Sequence, residues 1–506
     1  MPSSLTEVGS SYPAYVGFIY VFNLVVGVGA LTMPKAFAHT GWLLATIMLV
    51  LLAIISYITT TFIVESMAIA NALDKTGQFQ VESESNSDQE GETDKSINTE
   101  RTPVLQTRKY LEIEINGEIK REYISNVFEI KERVELGKMA GMFYNKGISS
   151  LQDMRLLPIS VLLQVGFGNN FFYLCICIYL YGDLAIYAVA VAKSLTKVAC
   201  NDLNGTGLNT SLPCWGNFTV GGAYRIFVAA FTICLGPFVF FNVQKTKYLQ
   251  VTTSILRWLA FAMMLSITFI FLGSGKARGH PPVANFAGIP TFFGICIYSF
   301  MCQHSLPSMI TPIREKKHVM YILLGDYVTV LAFYALLSHT AIFTFPIHSL
   351  EDLYTLNFTH YHVKFISFFL SLFPVFTLSS NFPIIGVTLR NNLKSLLLKE
   401  DKIYPFWIDR IVFPLLALIP PVTLALITKN LEFLAGITGS YAGVGVQYVI
   451  PSTLVYYGRK EARDKLGNEV NIYSSPFKHW LWIPVINIWA IACVVFVTIN
   501  HIITKK

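Results

Sequence analysis

The chain has 506 residues, 53% of them hydrophobic and 14% charged, with 38 Phe and a formal net charge of +7; its mean hydropathy is +0.51. Soluble chains carry about 25% charged residues, so this one reads as a polytopic membrane protein, and soluble dehydrogenase-like, nuclease-like and secreted disulfide-scaffold classes are excluded. The basic excess does not mark a nucleic-acid binder, because no basic run exceeds Arg314-Glu-Lys-Lys.

Apolar runs of about 20 residues, enough to cross a hydrocarbon core of about 30 Å, predict eleven spans at about 15–38, 41–66, 168–192, 224–243, 249–273, 286–310, 319–345, 363–388, 405–428, 431–457 and 480–503. The N-terminus, 1–14, lacks the basic region and cleavage site of a signal peptide, so the first span is expected to act as its own insertion signal.

Span 1 holds the most informative residues, Asn23-Leu-Val-Val-Gly27-Val-Gly29-Ala30-Leu31-Thr-Met-Pro34-Lys35. Two glycines and a proline at mid-membrane weaken backbone hydrogen bonds that lipid cannot replace. The stretch reads either as a helix opened beside a binding cavity or as a packing kink.

Spans 1 and 2 occupy 15–66, and a cytosolic loop of 67–167 follows. From 74 to 110, acidic residues alternate with Ser, Asn and Gln, so disorder is expected there. Val134, Met139, Met142 and Phe143 share one face of a helix expected to lie on the membrane surface. Tyr110-Leu-Glu-Ile and Asp153-Met-Arg-Leu-Leu have the form of sorting signals, a form that also arises by chance.

Residues 168–457 hold spans 3–10. Asp183 in span 3 and Asp326 in span 7 are ionisable groups at membrane depth, candidates for carrying a proton. The loop of 193–223 contains the sequons at Asn204, Asn209 and Asn217, and a fourth lies at Asn357. Cys200 and Cys214, the two of eight cysteines outside the spans, are either a disulfide or two free thiols.

Span 6 reads Tyr298-Ser299-Phe-Met-Cys302-Gln303-His304-Ser305-Leu306-Pro307, again polar and broken by proline. Broken spans five helices apart are what two five-helix inverted repeats give, with the substrate at the breaks. His304 is a proton carrier or a packing histidine. In span 8, Thr377, Ser380 and Asn381 share a face. With the opened carbonyls of span 1 they form a sodium cage, or else they only join helices. A cytosolic loop, 458–479, precedes span 11 and a short lumenal tail in 480–506.

With the N-terminus in the cytosol, 28 of the 38 basic residues fall on the cytosolic side. All four sequons fall on the other side.

These residues resemble the amino acid/auxin permease family. Its Gly-x-Gly then Pro matches Gly27, Gly29 and Pro34, with Gly41-Trp42 after. Its Cys-His then Leu-Pro is similar to Cys302-Gln303-His304 with Leu306-Pro307, and its span 10 pattern to Gly436-Ile-Thr-Gly439-Ser440 with Ile450-Pro451. Thr311 stands where many relatives have Glu. The resemblance implies an all-α fold of eleven helices, a 5+5 inverted-repeat core with broken helices 1 and 6 plus one extra helix, with small amino acids as substrates. It implies a substrate carboxylate at the N–H groups of Gly27, Gly29, Ala30 and Leu31, and an ammonium at carbonyls from Ser299 to Cys302. Asn23, Thr377, Ser380, Asp183 and His304 are the candidates for ion coupling.

The expected function is symport of small amino acids with sodium or protons, in a lysosomal, endosomal or plasma membrane. The rival is an amino-acid sensor or scaffold signalling to a cytosolic partner through 66–165. No nucleophile elbow, metal-ligand cluster or P-loop points to an enzyme. No cofactor beyond the coupling ion is expected.

Overall fold

The computed structural model describes residues 11–87, 110–115, 118–123, 127–147, 167–200, 211–215, 218–241, 247–398, 404–467 and 469–504. Among these, span 1 is a bent pair of half-helices, Ala14–Val25 and Val28–Thr40, meeting at 52°. Ten further helices are long and apolar enough to cross a bilayer: Trp42–Thr76, Asn170–Ala199, Val220–Phe240, Val251–Gly273, Phe286–Ile310, Val319–Thr344, Lys364–Leu397, Ile408–Ile427, Leu431–Leu466 and Trp482–Ile503. They are spans 2 to 11, and the chain is an all-α polytopic membrane protein. The end of the bundle where span 1 begins is called the N-terminal face below, and the other end the far face.

Spans 1, 2, 3 and 4 each pack against the span five places later, and the longest seam joins spans 3 and 8. Equivalent elements meeting in this way is what a pseudo-two-fold relation between five-helix halves produces. Span 11 stands at the edge, with Ile488, Ile491, Val495 and Ile499 facing outward.

Glycines set the closest seams. A Cβ on Gly294 of span 6 would lie 2.1 Å from the Gly436 carbonyl oxygen of span 10, and one on Gly439 would lie 1.9 Å from the Gly294 oxygen. Span 10 opens into π-helical turns over Gly439–Gly443 and Gly445–Val449, directly beside this contact.

The structure corrects three expectations about the loop after span 2. Span 2 does not end at 66; its helix runs to Ser87, into the stretch expected to be disordered. Met67, Ile69, Ala70 and Leu73 continue a buried face, and Asn71 holds the returning chain by donating to Glu132 O and accepting from the N–H groups of Lys131 and Glu132. The helix Leu136–Gly147 does not lie on lipid. Val134, Met139 and Phe143 are fully buried against the ends of spans 2, 3 and 10, where the Tyr144 hydroxyl meets Thr453 at 2.7 Å. Its apolar face matches a protein groove, which buries it more completely than a membrane surface could. Strands Tyr110–Ile115 and Glu118–Tyr123 pair as an antiparallel hairpin, an unanticipated element that includes the Tyr110 motif. The Asp153 motif lies outside the described residues.

Candidate functional site

Span 1 opens because its two halves cannot share hydrogen bonds across Val26 and Gly27. Gly27 N–H turns back to Val25 O at 2.9 Å, which strands the last carbonyls of the first half-helix. Side chains from other spans take them up. Arg257 of span 5 donates to Asn23 O. The Tyr334 hydroxyl of span 7 lies 2.9 Å from Val25 O and 3.0 Å from Ser299 O, so one phenol joins the breaks of spans 1 and 6. In span 6 the helix Ile289–Phe300 stops, Met301 and Cys302 are not helical, and Gln303 begins a short turn leading to Leu306–Ile310.

Gly29 lies against Ser299, whose Oγ would be 2.2 Å from a Cβ placed there, whereas a Cβ on Gly27 would have nothing within 4 Å. Of the expected substrate residues, Gly27 therefore borders open space. Ala30, Leu31, Ser299 and Cys302 are buried. The second half-helix starts at Val28; the N–H groups of Val28 and Gly29 precede any partner within it, while that of Ala30 donates to Gly27 O at 3.3 Å.

Asp183 is buried on span 3 and accepts a 2.6 Å hydrogen bond from Tyr298 of span 6. Tyr179, one turn before Asp183, has its ring 6.3 Å from the Tyr298 ring and 5.5 Å from that of His304, whose Nδ1 is buried without a partner. Asp183 and His304, far apart in sequence, thus belong to one polar line between spans 3 and 6. Asn23 Nδ2 donates to Ser254 Oγ. In span 8 the Thr377 hydroxyl donates to Phe373 O at 3.0 Å, and that of Ser380 to Thr377 O at 2.8 Å.

Sequence reasoning missed a second polar knot. Gln303 Nε2 reaches Thr59 and Thr60 at 3.2 and 3.3 Å, Tyr327 hydrogen-bonds Ser56 and Thr60, and Gln447 of span 10 donates to Ser56 at 2.6 Å. The Cys302 thiol joins it through Tyr327 at 3.3 Å. The signal was the i, i+3, i+4 spacing of Ser56, Thr59 and Thr60, the pattern that drew attention to span 8.

The far face is closed by the loop between spans 7 and 8, whose Leu353, Tyr354 and Phe358 are buried. Asp352 pairs with Lys35 of span 1 and, at 2.7 Å, with Lys193 of span 3, while Glu351 pairs with Lys197 at 3.1 Å. Burial alone would raise the Asp352 carboxyl, but the ammonium groups of Lys193 and Lys35 outweigh it and hold it at about 2. Such a group stabilises the closed loop fully above the ordinary carboxylate range near 4, and loses the effect only as pH falls through about 2. Amide exchange in 346–363 is therefore expected to stay slow from pH 7 to pH 4.5 and to accelerate in Asp352→Asn at either pH.

Asn357 sits in the same loop, donating to Ser349 O at 2.7 Å and accepting from Glu351 N–H. The other sequons, Asn204, Asn209 and Asn217, lie outside the described residues. Cys200 and Cys214 are joined as a disulfide.

The model of a family described as transmembrane amino acid transporter protein matches residues 14–78 and 145–500. The chain belongs to this family. The match omits the hairpin and most of the docked segment. Transmembrane protein 104 of Gallus gallus is 48% identical over all of both chains, that of Homo sapiens 48% identical over 100% of this chain and 99% of its own, and the Drosophila melanogaster homolog 43% over 98% of each. The family assignment covers every span described above, broken spans 1 and 6 included.

Proposed function

We propose that the chain is a secondary active transporter of small amino acids, coupled to a cation and working by alternating access with its N-terminus in the cytosol. The observation that carries this reading is the pair of breaks in spans 1 and 6, held together by Tyr334 and bordered by open space at Gly27. The N–H groups of Val28 and Gly29, heading the second half of span 1, suit a carboxylate, whereas those of Gly27 and Ala30 already donate to Val25 O and Gly27 O. Carbonyls at the end of the helix Ile289–Phe300 suit an ammonium. Asp183 is the group best placed to carry a proton, since it lies beside the breaks and its partner Tyr298 belongs to span 6.

The test is uptake into proteoliposomes across an amino-acid panel, with pH and sodium gradients imposed separately. Gradient-dependent accumulation of at least one small amino acid is expected. Asp183→Asn is expected to lose accumulation by tenfold or more while keeping exchange of labelled for unlabelled substrate. Uptake that ignores both gradients would retire the coupled mechanism, and no uptake of any amino acid would retire the substrate class.

A further inference from the structure

Arg257 carries a charge that the proposed transport cycle does not use. It lies two turns into span 5 and is 4% exposed, so it belongs to the bundle interior. Among the described residues no carboxylate pairs with it. Its guanidinium donates to the backbone oxygen of Asn23. That oxygen belongs to the last turn of the half-helix Ala14–Val25, where stranded carbonyls and the helix dipole both favour positive charge. Ser254, one turn earlier on span 5, accepts from the Asn23 side chain, so span 5 grips this residue twice.

The Tyr334 hydroxyl of span 7 lies on Val25 O, two residues along from the carbonyl that Arg257 holds. Unwound carbonyls at the end of a half-helix are the oxygens that hold a coupling cation in transporters built from broken helices. Here one of those oxygens already has a permanent cation on it, because a guanidinium does not give up its proton in a protein. A sodium ion about 4 Å from that charge, in surroundings of effective dielectric near 20, would bind roughly a thousandfold more weakly.

We propose that the Arg257 guanidinium is the resident cation of the span 1 break, holding the Asn23 carbonyl in place of sodium, so that this site works without sodium. The inference rests on the transporter reading only for its meaning in a coupled cycle; the contact itself does not depend on it.

The test uses the purified full chain in detergent, without amino acid and without flux. Its melting temperature is followed from 0 to 300 mM NaCl against choline chloride at constant ionic strength. The wild-type protein is expected to show no sodium-specific shift, and a saturable one overturns the proposal. Arg257→Lys keeps a cation and is expected to remain indifferent to sodium; a sodium response in it also overturns the proposal. Arg257→Ala is expected to melt lower in choline and to recover part of the loss specifically in sodium. If it melts like the wild type in both salts, the guanidinium is not holding the break and the proposal fails. Should the alanine variant not fold, the wild-type and lysine measurements still decide. A chain that fails to move amino acids can pass this test, so the two readings fail separately.

Discussion

Replacing Gly29 with leucine is expected to lower the stability of the purified protein by at least about 3 kcal/mol, and to abolish uptake for that reason. The added Cβ would fall 2.2 Å from Ser299 Oγ and 2.7 Å from Ser299 Cα, and the latter is backbone that cannot rotate away. Gly27→Ala is the informative companion. Its Cβ meets nothing within 4 Å, so the melting temperature is expected to stay close to that of the wild type. The methyl group would project into that open space at the head of the second half-helix, and uptake is expected to fall. Unchanged uptake in Gly27→Ala would move the substrate away from the span 1 break.

The largest loss from removing a single charge is expected at Glu65. Its carboxylate is bidentate with Arg459 of span 10, at 2.8 Å to both Nε and Nη2, and also accepts from the N–H of Ser475 at 2.9 Å. Arg459 reaches on to the carbonyls of Phe477 and Lys478, so spans 2 and 10 and the segment before span 11 meet at one carboxylate. The Glu65 side chain is 6% exposed and that of Arg459 19%, a depth at which removing one partner leaves a charge with no solvent to replace it. Glu65→Ala is expected to cost about 3–5 kcal/mol, read as a fall in melting temperature. Glu65→Gln keeps the hydrogen-bonding shape and should cost less. Equal melting of the alanine variant and the wild type would show that this pair bears no load at the N-terminal face.

Much of the fold was legible because lipid imposes strict rules on sequence. Runs of about 20 apolar residues can do little else, and Gly27, Gly29, Pro34 and Pro307 are expensive in a plain membrane anchor. The breaks in spans 1 and 6 therefore showed before any coordinates. What joined them did not. Tyr334 and Tyr298 read as ordinary aromatic residues in apolar helices, and only packing brings one phenol to Val25 O and Ser299 O and the other to Asp183. Arg257 was hidden for a related reason: nothing local tells a snorkelling arginine from one turned inward. The docked segment failed differently. An amphipathic helix has the same pattern whether its apolar face meets lipid or a protein groove, and one wall of the groove is formed by residues more than 300 positions later, Thr453 among them.

That docked segment also bears on time. It is tied to Asn71 of span 2 at one end and to Thr453 of span 10 at the other, directly across the line along which those two spans would part. Any motion opening the N-terminal face between them must first peel this segment away or carry it along. Where that motion of the proposed transport cycle peels the segment away, its release is a step in series with the other rearrangements, and the fastest turnover is bounded by how quickly a short helix with one deeply buried face lets go.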